Sequence, residues 1–204
     1  MEVLPLRERN KQRVTQRIIA AAVELFKAKG CQQTTMDDIA DKAEISRGTL
    51  FNYFPSKDAL LLPWGEEILE QYIRPGLTAY LDTQPTTMQV LHFLFANMSE
   101  NTLASPDVIW AFMGEALKPK NKPQIERARS GMQEMFVQVL RYGQGRGEVR
   151  SDIPLDELAS YVCALHTSLM FRLLEAAQSE DAPQQVTRLM TFIQDGLTVP
   201  RPSE

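Results

Sequence analysis

Thr34–Lys57 reads TTMDDIADKAEISRGTLFNYFPSK, and its spacing predicts two short helices around a tight turn, with a third beginning at its end. Thr35 is placed to cap the first helix with its hydroxyl, and Asp38, three residues on, completes a capping box. Ile39, Ala40 and Ala43 give that helix one apolar stripe. Glu44 and Ile45 form the turn. Ser46 then caps the second helix, whose Leu50 and Phe54 (i, i+4) face inward. The opposite face carries Arg47, Gly48, Thr49, Asn52 and Tyr53, which are small residues and hydrogen-bond donors with little apolar bulk. A helix that lies in the major groove of DNA needs such a surface, because it must approach closely and reach base edges and phosphates.

Working outward, residues 10–29 form a longer helix with Val14, Ile18, Ala22, Leu25 and Phe26 on one stripe, and Gly30 ends it. The chain of 204 residues has a formal net charge of −4, unevenly spread. Residues 1–60 carry +2 and the remainder −6. Arg7, Arg9, Lys11, Arg13 and Arg17 make a basic arm with one acid, Glu8, among them. A basic arm on an acidic chain suits a local phosphate-binding site and excludes an indiscriminate nucleic-acid binder.

Residues 17–60 resemble the DNA-binding domain of the TetR family of bacterial transcriptional regulators. The resemblance is carried by RIIAAAVELFKAKG (17–30), Thr34-Thr35, Ile39-Ala40, Ser46-Arg47-Gly48-Thr49-Leu50, Tyr53-Phe54 and Ser56-Lys57-Asp58-Ala59-Leu60. Three positions depart from it. Glu44 stands where the family has Gly, at a cost on the order of 1 kcal/mol. Phe51 stands where the family has Tyr and lacks the hydroxyl that meets a phosphate. Cys31 stands where the family often has an aromatic. The resemblance implies an all-α fold of about nine helices. Residues 1–56 would be the helix-turn-helix domain and residues 57–204 a helical ligand-binding and dimerisation domain. The expected DNA contacts are Thr34, Thr35, Ser46, Arg47, Gly48, Thr49, Asn52, Tyr53 and Lys57, with Lys57 on a phosphate.

Beyond residue 56 helical periodicity continues. A fourth helix is expected from Ser56 to Arg74-Pro75-Gly76, kinked or divided by Pro63. Others follow at residues 87–101, from Ser105, at 123–144, from Asp152 to about Gln178, and from Ala182 to Gly196. The segment Gly143–Gly147 is a helix stop, since it follows no strand and lacks the Lys-Ser/Thr ending of a phosphate loop.

The stripes Leu158, Leu165, Leu169, Leu173 and Val186, Leu189, Met190, Ile193 are the expected interface of a homodimer, the form in which a helix-turn-helix reads a palindromic operator. The middle of the chain is rich in Met and aromatic residues, which suit an adaptable apolar pocket. With the resemblance, Trp64, Tyr72, Phe95, Trp110, Phe112, Met135 and Phe171 are the expected ligand contacts. His92 and His166 are their polar handles.

No catalytic ordering, metal motif or cofactor fingerprint is present, so an enzyme, a metal site and a cofactor are not expected. Cys31 and Cys163 read as packed free thiols, and no apolar run reaches membrane-spanning length. The expected protein is a cytoplasmic repressor, released from double-stranded DNA by a small apolar or aromatic effector. The alternative is a DNA-binding dimer of the same fold without an effector.

Overall fold

The computed structural model describes residues 5–175 and 182–198. Among these every regular element is helical: α1 Leu6–Gln33, α2 Met36–Lys42, α3 Arg47–Tyr53, a 3₁₀ turn Asp58–Leu60, α4 Leu61–Ile68, a π-turn Leu69–Ile73, α5 Arg74–Leu81, α6 Thr87–Ala104, α7 Pro106–Ala116, a 3₁₀ turn Pro119–Asn121, α8 Lys122–Gly145, α9 Leu155–Glu175 and α10 Ala182–Leu197. The expected helix end at Gln178 lies outside the described residues. The chain forms two compact units, Met1–Ile68 with Asp107–Ile125, and Leu69–Pro106 with Glu126–Glu204.

In the first unit, Ile18, Ala22 and Phe26 of α1 are fully buried with Ile39, Leu50 and Leu60. α1 begins earlier than its apolar stripe suggested, so Arg7 and Arg9 join Lys11, Arg13 and Arg17 on the helix. Its helical geometry breaks at Gly30 (φ 79°, ψ 164°). Glycine is required there twice over, by the left-handed φ and because an added Cβ would lie 2.7 Å from Asp107 Oδ2. That carboxylate accepts the Cys31 N–H at 2.8 Å. The α2–α3 turn places Glu44 at φ 52°, the conformation that glycine adopts more cheaply. Arg17 steadies this turn by donating to the carbonyl oxygens of Ala43 and, at 3.3 Å, Glu44.

The expected division near Pro63 is a change of helix type: a 3₁₀ turn, Asp58–Leu60, runs directly into α4 at Leu61. Pro63 is the third residue of α4 and has no N–H to close an i→i−4 bond to Ala59. A second interruption falls at the π-turn, one turn ahead of Pro75, whose ring would otherwise press on the carbonyl of Gln71. Helical structure therefore does not end at Arg74-Pro75-Gly76 but runs on to Leu81.

In the second unit α6, α9 and α10 pack together. Thr86 and Gln89 form a capping box at the start of α6, and Glu148 accepts the Thr87 N–H and hydroxyl at 2.6 and 2.7 Å. Phe95, Phe136 and His166 form an aromatic cluster, with Phe95–His166 ring centroids 5.5 Å apart.

Candidate nucleic-acid interface

α2 is fixed at its start by the expected capping box: Asp38 N–H donates to Thr35 Oγ1 at 3.1 Å and Thr35 N–H to Asp38 Oδ2 at 2.7 Å. The Lys29 ammonium, 2.7 Å from the same carboxylate, joins Thr35 in holding the Asp38 carboxyl well below its ordinary range. α3 is capped by Ser46, whose Oγ accepts the Thr49 N–H at 3.1 Å. Leu50 is fully buried and Phe54 nearly so, which pins one side of α3 to the core.

The other side of α3 faces outward. Ser46, Arg47, Gly48 and Asn52 are exposed, and Thr49 and Tyr53 are partly exposed. Nothing lies within 4 Å of a Cβ built at Gly48. Its missing side chain is therefore not demanded by the protein's own packing. Arg47 is held in place, its Nη1 donating to Asp37 at 3.0 Å while its guanidinium lies 5.5 Å from the centroid of the exposed Phe51 ring. Phe51 was not among the expected contacts; its i, i+4 spacing from Arg47 carried the signal. A groove beside α3 is lined by Asn52 and Tyr53 together with Arg7, Asn10 and Lys11 of α1, so basic residues flank the exposed helix.

Two expected contacts need correction. Thr34 is buried, and its hydroxyl donates to the Gly30 carbonyl at 2.7 Å, so its side chain is not at the surface. Lys57 is not a free phosphate ligand. Its ammonium donates to the carbonyls of Cys31 and, at 3.0 Å, Thr34, where it satisfies groups freed at the end of α1. Thr35 is exposed, but its hydroxyl is engaged with Asp38 at 2.7 Å.

The expected effector contacts fall in both units. Trp64, Trp110 and Phe112 belong to the first, and Tyr72, His92, Phe95, Met135, His166 and Phe171 to the second. Trp64, Phe95, Met135 and His166 are buried, and Phe112 and Phe171 are partly so. Tyr72 (55% exposed), Trp110 (46%) and His92 lie at the surface of their helices, off the apolar stripes, so none is an enclosed contact. Burial between Phe95 and Phe136 pushes His166 down to about 4, so it is neutral at pH 7. Burial likewise pushes Cys163 up to about 11 and raises Cys31. No group of His, Cys, Asp and Glu among the described residues is arranged to hold a metal ion.

The expected dimer stripes need correction in part. Leu169, Leu173, Val186 and Met190 are buried within the chain's own second unit, while Leu165 and Leu189 are partly exposed. An outward apolar groove of about 380 Å³ brings the expected Leu158, Leu165 and Ile193 together with Tyr161, Ala164 and Phe192, of which Tyr161 is 51% and Phe192 64% exposed.

Residues 18–62 match the model of the family described as bacterial regulatory proteins, tetR family. The exposed, capped α3 lies inside that match. Residues 18–62 therefore carry a DNA-binding region of the tetR type. The chain is 26% identical over 151 residues to the HTH-type transcriptional repressor KstR2 of Mycolicibacterium smegmatis, covering 71% of this chain and 72% of the relative. It is 26% identical over 180 residues to the HTH-type transcriptional regulator EthR of the same organism, covering 86% and 82%. Its fold is similar to Thermus thermophilus FadR, a TetR-family transcriptional repressor in complex with lauroyl-CoA. That similarity has a TM-score of 0.72 and 27% identity, covering 93% of this chain and 98% of that one. This protein is a DNA-binding transcriptional regulator. Among its described residues no helix is long and apolar enough to cross a membrane.

Proposed function

We propose that this protein is a homodimeric repressor, active in the cytoplasm by binding rather than catalysis, that leaves a palindromic operator when a largely apolar effector binds. The observation that carries the DNA half is the outward face of α3, with a fixed Arg47, an unobstructed Gly48 and basic residues of α1 alongside. Arg47, Thr49 and Asn52 read base edges, while Arg7, Lys11 and Tyr53 meet phosphates. Residues 1–56 supply this reading, and residues 57–204 supply dimerisation and effector binding. The groove around Tyr161 and Phe192 receives the second copy of the chain, which sets two recognition helices about 34–36 Å apart, one turn of DNA.

For the effector we favour a long-chain acyl thioester. The FadR complex with lauroyl-CoA supports this class, as do the Met and aromatic residues buried in this chain. Release follows only if the effector binds the DNA-incompetent arrangement more tightly than the competent one.

The test has two parts: selection of an operator from random duplexes, then titration of lauroyl-CoA into the complex. The expected result is a dimer by sedimentation and saturable release of DNA. A dimer that binds its operator and ignores every acyl-CoA chain length would support the effector-free reading instead.

A further inference from the structure

Trp64, the fourth residue of α4, keeps only 7% of its surface exposed, yet its Nε1 has no hydrogen-bond partner among the described residues. The indole lies in an apolar cluster. Its ring meets that of Phe112 edge-on at 6.2 Å between centroids, with Leu61 and Val108 in the same cluster and Ile68 packed against it. α7 presses close to α4 here, since a Cβ at Gly65 would come within 2.7 Å of the Phe112 ring. A Phe or Leu at position 64 would fill such a site without burying a donor. Buried N–H groups are almost always satisfied, so one left over needs a partner from outside the chain. Water suits it poorly, because a buried water makes about three hydrogen bonds and the neighbours named here are all apolar.

Building on the acyl effector proposed above, we infer that the Trp64 indole N–H is the polar contact that positions the effector, donating to an uncharged acceptor, the carbonyl oxygen of its thioester. An apolar chain gains affinity from burial but no fixed depth from it. One donor in an otherwise greasy surround sets that depth and selects acyl thioesters over plain alkyl chains of equal length.

The experiment compares wild type and Trp64→Phe against lauroyl-CoA and S-dodecyl-CoA, the thioether that lacks the carbonyl. Wild type should bind lauroyl-CoA about 3- to 10-fold more tightly than the thioether, the difference expected of one neutral hydrogen bond. Trp64→Phe should lose that preference and bind the two alike. A nuclear magnetic resonance measurement on wild type covers a variant that fails to fold. The indole N–H signal of Trp64, told from that of Trp110 through Trp110→Phe, should move downfield on addition of lauroyl-CoA and not of the thioether. Tight lauroyl-CoA binding with an unmoved indole signal, or a Trp64→Phe protein that keeps the full preference, overturns the inference alone. If neither acyl-CoA binds wild type saturably, the acyl-effector reading fails and this inference with it.

Discussion

α3 and α9 both carry an apolar stripe on one side, yet the stripe means different things for the partner each helix meets. On α3, Leu50 and Phe54 are spent on the chain's own core, and the surface left for DNA is what remains: Arg47, Gly48, Thr49 and Asn52. On α9, Leu169 and Leu173 are spent in the same way. The surface proposed for a second copy is again what remains, but there it is apolar, with Leu158, Tyr161 and Leu165 beside Phe192 of α10. A periodic stripe thus marks mainly what a chain buries against itself. The candidate partner surface is read from the stripe's exposed edge and the residues beside it.

The largest effect that could break this comparison comes from placing a charge on each side of the α9–α10 pair. Leu169→Arg buries an unpaired charge in the core and should cost more than about 4 kcal/mol, leaving little folded second unit. Phe192→Arg should keep the helical signal and melting temperature near wild type while sedimentation shows a monomer. If Leu169→Arg instead gave a well-folded monomer, the stripe would be the interface after all.

The core side of α9 can be probed by pH. His166 titrates near 6.5 when unfolded and at about 4 when folded, so between those values the unfolded state binds the extra proton. Stability contributed by this group is full above pH 6.5 and is lost as pH falls towards 4, at about 1.4 kcal/mol per pH unit at its steepest and about 3 kcal/mol in all. Urea midpoints measured from pH 7 to 5 should fall in wild type and stay flatter in His166→Phe. Parallel curves would place His166 outside the apolar core.

In the first unit, Lys57→Ala separates a structural role from a phosphate contact. It removes charge-assisted hydrogen bonds to the carbonyls of Cys31 and Thr34 and should lower stability by about 1.5–3 kcal/mol. The slope of DNA affinity against salt should change by less than one phosphate's worth. Unchanged urea midpoints with a flattened salt slope would restore Lys57 to the DNA surface. The smallest effect is at Gly48. With open space around it, Gly48→Ala should raise stability by about 0.5–1 kcal/mol, because alanine is the better helix former. Its added methyl group should weaken operator binding. A variant that gains stability and loses no affinity would show that DNA does not approach that closely.

Much of the first unit was legible because its signals are local. Thr35 with Asp38, and Ser46 with Thr49, cap their helices within three residues, and the left-handed Glu44 sits between them. What was not legible depends on residues brought from afar or on position within a turn. Lys57 reads as a phosphate ligand until the end of α1, some 25 residues earlier in the chain, presents its carbonyls. Pro63 reads as a kink or a division, and only the helix start decides between them, where the 3₁₀ turn gives way to α4 at Leu61. Thr34 reads as a surface hydroxyl beside Thr35, and only the break at Gly30 turns it inward. The stripes of α9 and α10 were visible, but periodicity alone does not say whose core they close.

The most direct test of the central claim, that α3 reads DNA through its outward face, is the affinity and selectivity of Arg47→Ala for an operator selected with wild type, measured by fluorescence anisotropy against single-base variants. A loss of about 1–3 kcal/mol with weakened discrimination at one base pair per half-site is the predicted result. Unchanged affinity and unchanged discrimination would contradict it.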